Sequence, residues 1–220
     1  MARGREPVDY TRAEYLSDGV VHATGILSAL IAVPVLITLA AVWFGDSGTV
    51  AAASVYGASL IVMLSCSAVY NMAGLPDWHD FLRRVDQSAI YLKIAGAYTP
   101  FAVLSGASAG LFLTGVWGAA FAGVGLILFG PSRPRWPALL LYLGIGWAGV
   151  VWGGGILSQL SPVGHALVLV AGSLYSFGLV FFLWERLPFH NTIWHVFVLA
   201  ASWLIYAAVI VELSGRAPVV

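Results

Sequence analysis

Seven long apolar runs dominate the chain, at 20–43, 49–70, 86–104, 109–130, 136–157, 163–184 and 193–211. Each holds 19 to 24 residues, and Asp86 and Lys93 are the charged side chains inside them. At 1.5 Å per residue, any of these runs wound as a helix crosses a hydrocarbon layer of about 30 Å. The pattern predicts an all-α fold: a polytopic membrane protein of seven transmembrane helices with almost no extramembrane mass. Residues 1–19 read as a cytoplasmic N-terminal segment, 20–213 as one seven-helix transmembrane domain and 214–220 as a short outer tail. The short link at 105–108 predicts a tight hairpin between the third and fourth helices.

Composition agrees, since 60% of the 220 residues are apolar and 9% are charged. An ordinary soluble domain carries about a quarter charged residues, so that class is excluded. The charged N-terminal stretch and the length of the first apolar run argue against a cleaved signal peptide. If all seven runs span, Arg3, Arg5, Arg12, Arg83, Arg84, Arg133, Arg135 and Arg186 share one side, against Arg216 on the other. The positive-inside bias then predicts a cytoplasmic N-terminus and an outer C-terminus, in a multi-pass protein of the plasma membrane. No basic cluster supports nucleic-acid binding. Cys66 is the lone cysteine and forms no intrachain disulfide, so it reads as a small core residue. Lys93 lies in the third span, where it does not suit the Schiff-base role of a retinal protein. The glycines at 149 and 153–155 read as helix-packing positions.

The polar residues collect at one end. Glu14, Asp18 and His22 recur every four residues and form a helical stripe at the cytoplasmic mouth of the first span. Ser67 and Asn71 end the second span one turn apart, Asp86 opens the third, and Asn191 and His195 open the seventh. Each alone reads as an interfacial residue. Together they read as a buried set, because carboxylate, imidazole and amide groups are costly to bury unless they satisfy one another. His165, near the outer end of the sixth span, reads as interfacial. Pro34 and Pro100 predict kinks, and Trp43, Trp136 and Trp184 near span ends read as interface anchors.

These residues also carry a family resemblance. The spacing Glu14-x3-Asp18-x3-His22-x2-Gly25, the segment from Ser67 to Asn71, the stretch from Val85 to Tyr91 followed by Gly96 to Pro100, and Asn191-x3-His195 resemble the bacterial hemolysin III family. That family lies within the progestin and adipoQ receptor superfamily. The resemblance implies seven helices with a cytoplasmic N-terminus in the bacterial inner membrane. It further implies a zinc ion held at the positions of Asn71, Asn191 and His195, with the aspartate at Asp86 beside a bound water. Grouping with alkaline ceramidases implies hydrolysis of a lipid amide, and bacterial members are linked to membrane homeostasis and, by name, to cytolysis.

Here two of the three implied ligand positions are asparagines. A carboxamide offers one weak oxygen donor, whereas zinc sites use imidazole, thiolate or carboxylate. The expectation is therefore that no cofactor is bound, with His22, His195 and Asp86 as the best substitute metal set and His190 pointing elsewhere. Lys93 is the second departure. It lies two turns from Asp86 on nearly the same face, roughly 10 Å deeper, and is expected to face inward and pair with Asp86. Three functions compete: a lipid amide hydrolase using Asp86, His195 or His22 with Ser67 as hydrogen-bond partner; a non-catalytic binder of membrane lipid or fatty acid, with Lys93 as carboxylate partner and Asn71, Asn191, Asp18 and Glu14 around the pocket; and a proton-coupled channel or transporter. The loss of two imidazoles favours the binder.

Overall fold

The computed structural model describes residues 10–106, 110–130, 135–151, 156 and 158–217. Arg3, Arg5, Arg133, the centre of the 105–108 link and the glycines at 153–155 lie outside the described residues. Among the described residues seven α-helices follow one another: α1 (Arg12–Phe44), α2 (Ser47–Met72), α3 (His79–Leu104), α4 (Gly110–Phe129), α5 (Arg135–Val151), α6 (Pro162–Leu183) and α7 (His190–Arg216), with a 3-10 turn at Pro76–Trp78 before α3. Among the described residues there is no strand, and the all-α expectation stands.

Helix ends follow local chemistry more closely than hydropathy. Thr11 caps α1 through Glu14, whose carboxylate returns to the Thr11 backbone, so the helix begins eight residues before the apolar run. Gly45 closes α1 in the left-handed conformation at φ 67°. Asp46 then caps α2, and the Thr49 backbone N–H holds its carboxyl below the ordinary range. Pro34 and Pro100 both lie inside their helices.

Among the described residues five helices, α1, α2, α4, α6 and α7, are long and apolar enough to cross a membrane. α5 contributes a shorter apolar stretch, Pro137–Val151. α3 is as long as α2 but more polar, and it sits inside the bundle against α2, α4, α5 and α7. Its polar atoms find backbone partners: Tyr98 and Tyr91 donate to α5 carbonyls, and Arg84 donates to the carbonyls of Ile127 and Leu128 at the end of α4. The outer surface is apolar, with Ile31, Leu111, Phe121 and Leu126 more than half exposed. Polar inside and apolar outside is what a hydrocarbon solvent requires. Small residues permit the close packing: a Cβ on Gly57 would sit 2.3 Å from Val33 Cγ1.

Candidate functional site

The first turns of α1 and α7, the last turns of α2 and the start of α3 meet at one end of the bundle. Glu14 organises that end from outside. Its Oε2 closes the cap of α1, while its Oε1 accepts the backbone N–H of Phe189 at 2.8 Å. Phe189 is in the left-handed region at φ 60°, an unfavourable place for a bulky residue, and this hydrogen bond fixes it where α7 begins. Ser17 and Thr192 add a contact of 3.0 Å. Glu14 is thus half-buried and structural, on the stripe expected of it but outside the cluster.

Asp18, one turn further, is buried and central. Its Oδ1 lies 2.6 Å from His195 Nδ1, a charge-assisted distance. Its Oδ2 accepts from Asn191 Nδ2 at 3.2 Å and lies 3.5 Å from His22 Nε2. The His22 and His195 rings approach to 4.4 Å between centroids. Asn191 also donates to Asn71 Oδ1 at 3.1 Å, and Asn71 Nδ2 donates to the Ser67 carbonyl at 2.9 Å. Ser67 Oγ lies 3.5 Å from His195 Nε2 and from Asn71 Nδ2. A cavity of about 30 Å³, lined by Tyr10, Asp18, Asn71, Asn191 and their neighbours, opens beside Asp18. It has room for about one or two waters.

The expected polar set is therefore assembled, with two differences. Asp18, not Asp86, meets the imidazoles. Periodicity placed Asp18 and His22 together, but only tertiary packing brings His195 of α7 onto them. Lys93 does face inward, at 4% exposure, yet its Nζ donates to the Tyr175 hydroxyl of α6 and lies 4.0 Å above that ring. Tyr175 continues to Ser202 Oγ at 2.7 Å. Lys93 and Asp86 form no ion pair; Tyr175, standing on the facing helix, is the nearer partner. His190 is the first residue of α7 and buried, paired with Tyr10 at 3.4 Å rather than with the cluster. Burial pushes the Tyr10 phenol up to about 12, so it meets His190 as a neutral hydroxyl. Sequence reasoning missed Glu212, which lies one residue beyond the last apolar run. It is buried at the other end of the bundle, accepting from Ser161 N and Oγ at 2.9 and 2.7 Å and pairing with Arg216 at 3.1 Å.

The zinc set implied by the resemblance does not fit positions 71, 191 and 195, because both asparagine amides are engaged across the site in the hydrogen bonds above. A shifted set does fit by donor type. Asp18, His22 and His195 offer ligand atoms that all lie within 4.8 Å of one another, and two imidazoles with a carboxylate suit a divalent transition metal. His22 Nε2 is buried and makes no hydrogen bond of good geometry, the state of an atom that an ion would satisfy. Two ligands on one tetrahedral ion at 2.0–2.1 Å stand roughly 3.3 Å apart. The 2.6 Å contact of Asp18 Oδ1 and His195 Nδ1 is therefore a hydrogen bond, and an ion would take other atoms of these side chains.

A multi-pass helical membrane protein with a buried carboxylate–imidazole cluster at one end is the class these features define. The chain belongs to the haemolysin-III related family, whose model matches residues 11–206. It is 32% identical over 195 residues to the Hemolysin-3 homolog of Bacillus subtilis (strain 168), covering 88% of this chain and 91% of that protein. It is 34% identical over 201 residues to Hemolysin-3 of Bacillus cereus, covering 90% of each.

Proposed function

We propose that this chain hydrolyses the acyl linkage, ester or amide, of a lipid in the bacterial inner membrane, at the end of the bundle that holds Asp18 and His195. The N-terminus and this cluster face the cytoplasm on the arginine bias of the loops. The observation that carries the reading is the 2.6 Å pair of Asp18 and His195, buried beside a water-sized cavity. Asp18 holds the His195 ring by Nδ1, which fixes its tautomer and turns Nε2 toward Ser67. Nε2 is then placed to take a proton from a nucleophile and return it to the leaving group. Asn191 donates to Asp18 and to Asn71, and Asn71 donates to Ser67, so the two amides tie the pair to the end of α2. A metal held by Asp18, His22 and His195, a second reading favoured by a His22 Nε2 whose contact to Asp18 is long at 3.5 Å, would supply Lewis-acid polarisation of the acyl carbonyl. Free fatty acid and headgroup fragments alter bilayer packing, which connects this chemistry with membrane homeostasis.

The test is lipid turnover by purified protein in nanodiscs carrying phospholipid and ceramide in separate arms, read by mass spectrometry. The expected result is release of free fatty acid in one arm, reduced at least 100-fold by His195→Gln. Lipid that co-purifies and is never cleaved would instead make the chain a binder, the function that Asn71 and Asn191 favoured.

A further inference from the structure

Asp18, His195 and Ser67 stand in line. The carboxylate meets Nδ1 at 2.6 Å, and Nε2 of the same ring lies 3.5 Å from Ser67 Oγ. A buried acid on one imidazole nitrogen and a hydroxyl on the other is the connectivity that activates a serine nucleophile, and it is recognised by geometry rather than by fold. The Ser–His separation is at the long end, as in substrate-free sites where such contacts tighten once the substrate is bound. Ser67 is buried at 7% exposure near the end of α2, and Asn71 Nδ2, 3.5 Å from Oγ, is the neighbouring donor for a developing oxyanion. The amide at position 71 thus puts a hydrogen-bond donor where an imidazole ligand would have stood.

We propose that Ser67 is a catalytic nucleophile that forms an acyl-enzyme with the lipid acyl group, with His195 as its base, Asp18 as the positioning residue for His195 and Asn71 as the oxyanion donor. This rests on the hydrolase reading above. Ser67 Oγ bonds to the acyl carbon while its proton passes to His195 Nε2. The bond from that carbon to the headgroup oxygen or nitrogen breaks, and the leaving group takes the proton from His195. Water then attacks the Ser67 ester and gives a proton to His195. The fatty acid departs as Ser67 regains its hydrogen.

The experiment uses the full chain in detergent, dialysed against a strong chelator, and two small probes: diisopropyl fluorophosphate and p-nitrophenyl butyrate. Intact-mass and peptide analysis are expected to show one adduct on Ser67. Labelling is expected to vanish in Ser67→Ala and to slow at least 100-fold in His195→Gln. Ser67→Cys, a conservative variant that keeps the size, is expected to be acylated by the butyrate ester, which guards against mere misfolding of the alanine variant. Lipid hydrolysis by a chain that no probe labels at Ser67 would overturn the nucleophile and leave the hydrolase reading standing. Neither hydrolysis nor labelling would overturn both. Labelling that requires added metal would overturn the metal-free relay.

Discussion

Lys93→Met separates two accounts of the buried amine by the size of its effect. If Lys93 were paired with Asp86, removing it would leave a buried carboxylate uncompensated, at a cost of about 3–5 kcal/mol. The observed partner is the Tyr175 hydroxyl, and Tyr175 keeps its own bond to Ser202 when the amine is gone. The loss is then one hydrogen bond to a charged group, about 1.5–3 kcal/mol. Against it stands the desolvation of an amine in mid-bundle, about 2.5–3.5 kcal/mol on insertion scales, which methionine does not incur. The two nearly cancel, and the variant is expected to lie within about 1 kcal/mol of the parent, or about 2–4 °C in Tm for a chain of this size. Tyr175→Phe is expected to be the more harmful change, by about 1–3 kcal/mol, because it leaves the Lys93 ammonium and Ser202 without that hydroxyl. Thermal unfolding in detergent, followed by tryptophan fluorescence, measures both. A drop of 3 kcal/mol or more in Lys93→Met, with Tyr175→Phe unaffected, would mean that the amine is held by a carboxylate and not by Tyr175.

Other expectations follow from the same contacts. Asp18→Asn keeps the shape of the side chain but loses the charge-assisted bond that sets the His195 tautomer. Turnover of the lipid substrate is expected to fall by about 10³–10⁴, with the fold retained by circular dichroism. Gly57→Ala drives a methyl into Val33 and is expected to destabilise the α1–α2 contact by about 1–3 kcal/mol, with partial rescue by Val33→Ala in thermal unfolding. Glu14→Gln weakens the bond that holds Phe189 in its left-handed conformation. It is expected to raise amide hydrogen exchange at residues 189–193 without altering exchange in α6.

The helical count and the polar end of the bundle were legible because each rests on chain-local pattern: apolar length for the spans, and four-residue recurrence for Asp18 and His22. The start of α1 was less legible to hydropathy, since its first turns carry Arg12, Glu14 and Asp18, although Thr11-x2-Glu14 is a helix-start signature in its own right. What local pattern could not supply was partner choice across helices. Asp86 and Lys93 share a face of α3, which suggested a pair, but the nearest polar atom to the amine stands on α6. Asp18 meets His195 across 177 residues of sequence for the same reason. Glu212 escaped because a single acid just past an apolar run looks like a helix end, whereas α7 continues to Arg216 and buries it.

Hydrolysis carried out in water enriched in oxygen-18 bears most directly on what the cluster does. Protein in nanodiscs is incubated with the substrate lipid, and the released fatty acid is weighed by mass spectrometry. One heavy oxygen is expected in the carboxylate of the released acid, at a rate that collapses in His195→Gln and Asp18→Asn. Fatty acid released at the parent rate by both variants, or no labelled acid from the parent chain with either phospholipid or ceramide, would contradict it.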